Sequence, residues 1–422
     1  MNEPDVLVIA DDLTGAIEVG AQFAKHSVGA LVTPQFPSDA SNMDDSIRVL
    51  VVDTDSRNLP SDEAAQRVRR VAAFARESGI RYVYKKTDST LRGNIADELS
   101  ALCSAFPGQP LIYIPAYPRL GRTCKNGHLC VNGERIAETP IPGILKSRCH
   151  LPVKEVADSR ALENVLEAAA SPAILVCDGE TDEDLAGTAE VLRRLDRLQL
   201  TAGPAGFTEY LAQALNLPQT EISQPPEIDT SLTVCGSLNM VSLTQVRHAE
   251  DQGFPAIGLT PEQVMRADFL DGAEGRALIQ RIIDSLSAQR HLILRTIGSI
   301  DGLPAYLEYA RSLGIDEDGA HRLVAQQNGC IVRRVIEQVP LDGLIVFGGD
   351  TAKGVLQDAT ITPVKEVVPG IPMSKVALDQ HELCLVTKAG GFGSVEVLAI
   401  IKKLICQTRN RGQGHVDRCN HG

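Results

Sequence analysis

Short apolar runs alternate with segments of helical periodicity along the first half of the chain. Buried strands are predicted at residues 6–10, 48–53, 81–85, 111–116 and 173–178. Helices are predicted to begin near Ala16 and to cover residues 61–78 and 183–197. Alternation of strand and helix is typical of βαβ units, so an α/β fold with a largely parallel sheet is expected.

The pattern is interrupted and then resumes in the second half. Residues 217–226 are polar and Pro-rich, which indicates an interdomain linker, although a long surface loop inside one domain is the alternative. Strands are predicted at residues 232–235, 256–259, 292–296, 343–347 and 383–387, and helices at 274–286, 320–338 and 395–404. We therefore expect two α/β lobes, residues 1–222 and 231–406, each with its own sheet. Residues 407–422 read as a mobile tail.

Composition excludes several classes of protein. The 422 residues carry a formal net charge of −13 and only 4% aromatic residues, which argues against nucleic-acid and membrane-surface partners. No apolar run approaches the roughly 20 residues that span a bilayer, and the first residues do not resemble a signal peptide. Ten cysteines in so long a chain suggest reduced thiols, so a cytoplasmic location is expected.

The end of the first predicted strand carries two adjacent carboxylates, Asp11 and Asp12, followed by Thr14 and Gly15. Ligands of open α/β sheets bind at the carboxyl ends of strands. Carboxylates placed there could accept hydrogen bonds from a polyhydroxylated substrate, hold Mg²⁺, or take a proton from a hydroxyl. The alternative is that one of them merely caps the following helix.

The turn after the third predicted strand concentrates cations and short polar side chains. Its candidates are Lys86, Thr87, Asp88, Ser89 and Arg92. A strand-to-helix turn of this kind can bind an anion through its cations and its backbone N–H groups. The alternative is a helix cap surrounded by solvated basic residues.

Polar residues also follow the second and fourth predicted strands. The planar fork of Arg57 suits a substrate carboxylate, and a surface ion pair with Asp53 or Asp55 is the alternative. Because three consecutive strand ends carry polar clusters, we expect the clusters to lie side by side. Residues 115–128 form a Pro- and Gly-rich segment that is predicted to be a long loop covering a substrate.

Glycine turns follow three strands of the second half. They are Cys235-Gly236-Ser237, Phe347-Gly348-Gly349-Asp350-Thr351, and the segment around Gly390 and Gly391. Glycine lets the backbone approach a phosphate closely, and a helix N-terminus supplies N–H donors. These turns favour nucleotide phosphates over purely structural turns. The chain contains neither a P-loop nor a clean dinucleotide fingerprint.

These motifs, in this order, resemble the four-carbon acid sugar kinases, which act on threonate, erythronate and 3-oxo-tetronate. The resemblance rests on Ala10 to Gly15, Lys86 to Gly93, the segment Pro115 to His128, Gly348 to Thr351, and Lys388 to Gly393. It implies an acid-sugar-binding first domain and an ATP-binding second domain, with the active site in the cleft between them. It also implies phosphoryl transfer from ATP, with Mg²⁺, to the terminal C4 hydroxyl.

The resemblance assigns two sets of residues. The substrate set is Asp11, Arg57, Lys86, Thr87, Asp88, Ser89 and Arg92, and the ATP set is Ser237, Gly348, Gly349, Asp350, Thr351 and Gly390. Asp12, or else Asp11, is expected to orient the C4 hydroxyl and accept its proton, with Asp350 as the alternative base. The acid sugar and ATP are the expected partners, and a homo-oligomer is left open. A non-catalytic sensor of the same fold is the alternative function, and a dehydrogenase ranks third.

Overall fold

The computed structural model describes residues 3–34, 44–168, 172–222, 228–237, 239–296, 302–357, 359–389 and 391–403. By its internal contacts the chain divides into two compact units, Met1–Ser223 with Thr360–Lys365, and Gln224–Ala359 with Glu366–Gly422. Residues 360–365 thus group with the first unit, although they fall inside the predicted second lobe. Gly390 and the predicted tail 407–422 lie outside the described residues.

The first unit contains a mostly parallel sheet and a small second sheet. Its strands are β1 (Val6–Ala10), β2 (Gly29–Thr33), β3 (Ile47–Asp53), β4 (Tyr82–Lys86), β5 (Leu111–Tyr113), β6 (Arg122–Lys125), β7 (His128–Val131), β8 (Glu134–Arg135), β9 (Val153–Val156), β10 (Ile174–Cys177) and β11 (Leu200–Gly203). The main sheet runs β2-β3-β1-β4-β11-β5-β10-β9, with all of these pairs parallel. Next to β2 lies an antiparallel strand that comes from much later in the chain, through the pair Ile361 and Val32.

Seven helices accompany this sheet in the described residues of the first unit. They are α1 (Leu13–Lys25), α2 (Ser61–Glu77), α3 (Ile95–Ala105), α4 (Ile141–Lys146), α5 (Ser159–Glu167), α6 (Asp182–Arg194) and α7 (Ala205–Leu215). All five residues of β1 are buried, and so are twelve of the thirteen residues of α1, which places the first strand-helix pair at the centre of the unit. The predicted α/β character is confirmed. The strands β2, β9 and β11 were not predicted, and β9 and β11 have only four residues each.

The predicted long loop over residues 115–128 is wrong in part. Residues from Arg122 onward form an antiparallel sheet in the order β6-β7-β8. Its two turns are the pairs Asn126-Gly127 and Asn132-Gly133, and all four residues have positive φ. Asn-Gly with two left-handed residues is typical of a type I′ hairpin turn. The hairpin signal was therefore present in the sequence but was outweighed by the glycine and proline content.

The strands of the second unit are also mostly parallel. They are β12 (Ser231–Cys235), β13 (Ala256–Gly258), β14 (His291–Arg295), β15 (Gly343–Phe347), β16 (Thr360–Val368, whose first part groups with the first unit), β17 (Ile371–Leu378) and β18 (His381–Lys388). The order is β13-β14-β12-β15-β18-β17, and β17 is antiparallel to β18. The antiparallel strands β16 and β17 were not predicted.

The helices of the second unit are α8 (Met240–Asp251), α9 (Pro261–Met265), α10 (Ala273–Gln289), α11 (Leu303–Ser312), α12 (Glu317–Ile336) and α13 (Gly349–Leu356). Residues 397–403 are also helical. Buried side chains such as Val246, Ile293, Phe347, Val386 and Leu398 pack into one apolar cluster between this sheet and its helices. Over the described residues, none of the helices is long and apolar enough to cross a membrane.

Candidate functional site

Three polar strand ends lie next to one another in the first unit. Strand β1 pairs with β3 on one side and with β4 on the other, and Ala10 is in register with both Asp53 and Lys86. The chain continues from these positions into Asp11, into the loop that carries Arg57, and into the turn that begins at Thr87. The expected adjacency of the three clusters is therefore confirmed. We call Asp11, Asp12, Arg57, Lys86 and Asp88 the carboxylate cluster.

Asp12 both caps a helix and belongs to this cluster. Its Oδ1 accepts a hydrogen bond from the backbone N–H of Gly15 at 3.2 Å, and its Oδ2 accepts one from Thr14 Oγ1 at 2.6 Å. Burial acts to raise the pKa of Asp12, but Arg57 and Lys86 more than offset it, so this pKa lies below its ordinary value. Asp12 is consequently a carboxylate at neutral pH. It caps α1 and at the same time belongs to the cluster, so the two interpretations of Asp12 do not exclude each other.

Arg57 points inward to the cluster. Its Nε donates to Asp11 Oδ2 at 2.7 Å and its Nη2 donates to Asp12 Oδ1 at 2.6 Å, while Nη1 lies 3.6 Å from Asp88 Oδ2. These acidic neighbours raise the pKa of Arg57 against the opposing effect of burial. The alternative of a surface ion pair with Asp53 or Asp55 is wrong, because the guanidinium is only 15% exposed and faces other carboxylates.

The two carboxylate oxygens of Asp11 differ in their surroundings. Asp11 is buried, and its Oδ2 is taken by Arg57. Among the residues that the structure describes, Asp11 Oδ1 has no hydrogen-bond partner. A buried carboxylate oxygen without a donor is costly, so such atoms usually face a ligand or an ordered water. This oxygen is therefore an acceptor that a bound ligand could satisfy.

Asp88 organises the turn that follows β4. Its carboxylate accepts hydrogen bonds from the backbone and side chain of Thr90 and from the backbone and guanidinium of Arg92. Burial would raise the pKa of Asp88, but Arg92 and Arg57 lower it well below its ordinary range. Arg92 is exposed over 68% of its side chain and Ser89 is half-buried. Asp88 therefore shapes the turn, whereas Ser89 and Arg92 are accessible from solvent.

Lys86 lies against the start of α1. Its Nζ donates to the carbonyl of Thr87 at 2.8 Å, and its side chain is almost fully buried. A β-carbon placed on Gly15 would stand 2.5 Å from Lys86 Nζ and 2.6 Å from Asp12 Oδ1. Glycine at this position therefore lets the ammonium and the carboxylate approach the same point.

Asp53 is a neutral acid next to this cluster. It is buried at the end of β3, and its Oδ1 accepts a hydrogen bond from the N–H of Asp55 at 2.8 Å. Burial is the main cause that raises the pKa of Asp53 to about 8, and the nearby carboxylates of Asp12 and Asp11 act in the same direction. The protonated form of Asp53 therefore adds no negative charge to the cluster at neutral pH.

Residues behind the cluster were missed by the sequence analysis. Ser56, Lys85 and Glu98 form a buried polar group, and Asn94 Nδ2 donates to the carbonyls of Ser56 and Leu59 at 3.1 and 2.8 Å. Signals existed for Glu98, which sits on the apolar face of α3 where a hydrophobic residue is expected, and for Lys85, which ends a predicted buried strand.

The second unit brings glycine turns together. Strands β12 and β15 are neighbours, so the turns at Gly236 and Gly348 meet. Gly348 has φ 101°, and a β-carbon there would stand 3.0 Å from Ser237 Cβ. At Gly236 a β-carbon would stand 2.5 Å from Thr351 Oγ1. We call Gly236, Ser237, Gly348 and Thr351 the glycine-turn site, where the two turns pack this closely only because the glycines lack side chains.

Two helices begin at this site. Ser237 Oγ accepts from the N–H of Asn239, and Asn239 caps α8, while Gly348 precedes α13. Helix N-termini present N–H donors and a positive dipole end, which favours anions. In the first turn of α13, Gly349 is half-buried and Asp350 is exposed.

The position of α13 is fixed by direct backbone contact with α12. A β-carbon on Gly354 would stand 2.1 Å from the carbonyl oxygen of Ala325, and one on Gly329 would stand 2.2 Å from the carbonyl oxygen of Gly354. Larger residues would push the two helices apart. The start of α13 is therefore held by a helix crossing that the sequence analysis did not identify.

Two buried side chains hold the last glycine-rich segment. Lys388 Nζ donates to Ser242 Oγ at 2.8 Å and lies 4.9 Å from the centre of the Phe347 ring, and burial lowers its pKa to about 8. Gln245 Nε2 donates to the carbonyls of residues 392, 393 and 394 at 2.9–3.0 Å. The third glycine turn thus has a defined support, although Gly390 itself lies outside the described residues.

Comparisons with known proteins match these two regions separately. A family model described as a sugar-binding N-terminal domain matches residues 6–211. A second, described as a nucleotide-binding C-terminal domain, matches residues 232–398. The class of protein is thus a sugar-binding domain joined to a nucleotide-binding domain.

Relatives cover nearly the whole chain. D-threonate kinase of Salmonella typhimurium is 30% identical over 95% of this chain and 99% of its own length. D-erythronate kinase of Heliobacterium modesticaldum is 25% identical over 92% and 94%, and 3-oxo-tetronate kinase of Cupriavidus necator is 25% identical over 91% and 93%. A crystal structure from Salmonella typhimurium LT2 has the same fold, with TM-score 0.79, 20% identity, and coverage of 94% of this chain and 99% of that one.

The chain therefore belongs to the four-carbon acid sugar kinase family. The resemblance found in the sequence motifs is confirmed by these relatives. At the level of the family this indicates a kinase, that is, a phosphotransferase, and does not favour a non-catalytic sensor.

Proposed function

We propose that this protein transfers the γ-phosphoryl group of ATP to the terminal C4 hydroxyl of a four-carbon acid sugar: threonate, erythronate or 3-oxo-tetronate. The observation that carries the proposal is Asp11 Oδ1, a buried carboxylate oxygen with no hydrogen-bond partner in the described residues. A sugar hydroxyl is a donor of the right kind for this oxygen. In this proposal the acid sugar lies on the carboxylate cluster.

The carboxylate of the acid sugar needs cations that are not fully used within the protein. Arg57 has committed Nε and Nη2 to Asp11 and Asp12, while Nη1 makes only the longer contact of 3.6 Å with Asp88 Oδ2, so Nη1 is the nitrogen proposed to face the substrate carboxylate. Lys86, Ser89 and Arg92 supply further donors around the same turn. The predicted pairing of Arg57 with the substrate carboxylate is therefore proposed through Nη1 alone and not through the whole guanidinium fork.

ATP is proposed to lie on the glycine-turn site. Backbone N–H groups at the starts of α8 and α13 would face its phosphates, with Ser237, Gly348, Gly349, Asp350, Thr351 and Gly390 as the proposed contacts. Mg²⁺ in kinases is held largely by nucleotide phosphates and one or two carboxylates. The exposed carboxylate of Asp350 suits that role. Such an ion neutralises the charge of the transferred group.

Asp12 is the proposed residue that orients the C4 hydroxyl and receives its proton, with Asp11 and then Asp350 as alternatives. The lowered pKa of Asp12 makes it a weak base. Phosphoryl transfer passes through a loose transition state in most analyses, so positioning matters more than proton removal. The reaction requires the C4 hydroxyl and the γ-phosphate to come into contact, and an active site in a cleft between the two domains is predicted for this reason. A cytoplasmic location is a separate prediction.

The test is a substrate panel. Release of ADP should be measured with D- and L-threonate, D- and L-erythronate and their 3-oxo acids, each with ATP and Mg²⁺. We expect turnover with at least one of these acids and none with the corresponding neutral sugar alcohols, which lack the carboxylate. The absence of turnover and of binding across the panel would contradict the proposal.

A further inference from the structure

A buried ion pair lies behind the carboxylate cluster. Lys85 Nζ stands 3.0 Å from Glu98 Oε2, and neither side chain is more than 1% exposed. Removing two charges from water is expensive, and apolar residues of similar size often give equal or greater stability. Stability by itself is thus a weak reason for this pair to exist.

The pair connects to the loop that carries Arg57. Ser56 Oγ donates to Glu98 Oε1, and Ser56 Oγ lies 2.8 Å from Thr54 Oγ1. Thr54 Oγ1 in turn donates to the carbonyl of Ala10 at 2.7 Å, which is the residue before Asp11. Since each hydroxyl has a single proton, these directions leave Ser56 and Thr54 in close polar contact rather than hydrogen-bonded. The N–H of Thr54 also donates to the carbonyl of Ala10 at 2.8 Å, so α3 is connected to the end of β1 through the loop of residues 54–57.

The same group reaches the other two strand ends. Lys85 Nζ donates to the carbonyl of Lys86 at 2.7 Å, at the end of β4. The N–H groups of Ser56 and Arg57 donate to the carbonyl of Asp11 at 3.1 and 3.2 Å. Each of the three strand ends that form the carboxylate cluster is thus tied to the Lys85–Glu98–Ser56 group.

We propose that Lys85, Glu98 and Ser56 form a positioning network that holds Arg57 and Asp11 in the geometry needed to bind the acid sugar. None of the three touches the substrate in this proposal, which rests on the proposed function of the cluster. The network acts by fixing the loop of residues 54–57 against β1, so that the Arg57 fork meets both Asp11 and Asp12. A displacement of that loop by a fraction of an ångström would loosen the site.

The test replaces the ion pair without leaving a lone buried charge. The double variant Lys85→Met/Glu98→Leu should keep its melting temperature near that of the wild type. The control is Arg48→Met/Asp5→Asn, which removes the ion pair of 2.5 Å at the amino ends of β1 and β3, away from the carboxylate cluster. Ser56→Ala is a milder variant, because it removes only the hydroxyl that links the pair to the loop.

Two readouts separate positioning from a merely structural role. Calorimetry should give an acid-sugar Kd raised about 10-fold or more in Lys85→Met/Glu98→Leu, an unchanged Kd for Mg-ADP, and little change for the control. Ser56→Ala should show a smaller rise. Normal acid-sugar binding in the folded double variant and in Ser56→Ala would overturn the proposal.

The second readout needs no substrate. Hydrogen exchange of the Arg57 Nε–H, assigned by NMR with the variant Arg57→Lys, should be slow in the wild type and at least several-fold faster in Lys85→Met/Glu98→Leu. If no acid of the panel binds the wild type, the proposed function fails, and this exchange rate still decides whether the network positions Arg57. Unchanged exchange would overturn the positioning role by itself.

Discussion

The two candidate sites are built in opposite ways. The carboxylate cluster of the first unit is built from charged side chains that bind one another, with Arg57 braced by Asp11 and Asp12. The glycine-turn site of the second unit is built from backbone turns that pack closely because Gly236 and Gly348 lack side chains. Substitutions that remove a charge should therefore damage the first site, and substitutions that add a β-carbon should damage the second.

The largest effect is expected from Gly348→Ala. The added β-carbon meets Ser237 Cβ at 3.0 Å and the residue has φ 101°, so the backbone must shift where phosphates are proposed to bind. We expect KM for ATP to rise by about 10²-fold or more, with acid-sugar binding retained. Steady-state kinetics and calorimetry with both ligands measure this.

Gly253→Ala is the matched control for that variant. Gly253 also has positive φ, 84°, but a β-carbon there has no atom within 4 Å. Both variants place alanine at positive φ, and the strain is larger at Gly348, whose ψ of 137° puts it in a region that essentially only glycine adopts. If Gly253→Ala impaired ATP binding as strongly, strain rather than obstruction would explain the result.

Asp12→Asn should lower kcat by about 10²-fold or more, the usual loss when a general base is removed. The amide keeps the size of the side chain and can still cap α1, but it carries no charge for Arg57. The Kd of Mg-ADP, measured by calorimetry, should not change because the glycine-turn site is untouched. Near-normal turnover would remove Asp12 from the base role.

Gly15→Ala should raise KM for the acid sugar by about 10-fold while leaving the fold intact. Its β-carbon displaces Lys86 Nζ and Asp12 Oδ1, both within 2.6 Å. Alanine normally stabilises a helix relative to glycine by up to about 1 kcal/mol, so the melting temperature should not fall. Gly187→Ala in α6 is the control, since its β-carbon makes only an ordinary contact at 3.5 Å. Equal kinetic effects in both variants would contradict this interpretation.

The smallest effect on turnover is expected from Asp53→Asn, whose consequence is a pH-dependent stability. Folded Asp53 keeps its proton up to about pH 8, whereas the unfolded chain releases it near pH 4. The folded state thus binds more protons over that range, and wild-type stability falls as the pH rises from about 4 to about 8. Asparagine mimics the protonated acid and does not titrate. The stability of the variant relative to the wild type should therefore increase as the pH rises across this range.

Thermal unfolding at pH 4.5 and pH 9 tests that expectation. The melting temperature of Asp53→Asn should exceed that of the wild type by about 5 °C at pH 9, with a much smaller difference at pH 4.5. Asp55→Asn controls for loss of an acidic side chain from the same loop, because Asp55 is 44% exposed. A constant difference at both pH values would show that Asp53 does not carry the proton.

The sequence predicted the local parts of both sites. Residues 6–10 and 343–347 form strands over the predicted ranges, and polar or glycine residues follow each of them. Such features depend on alternation, capping and turn chemistry within a few residues. The Asn126-Gly127 hairpin shows the limit, because a local signal was present and was overruled by composition. The short strands β9 and β11 carried too little pattern to be seen.

What the sequence alone determined is therefore the α/β class, the positions of most strands, and the chemical character of the strand ends. The tertiary structure decided which of these side chains bind one another. Arg57 binds Asp11 and Asp12 rather than its neighbours Asp53 and Asp55, and Glu98 meets Lys85 across the interior. These contacts depend on the order of strands in the sheet and on which face of a helix turns inward. Both are set by packing between segments far apart in the chain, which no local pattern of residues encodes.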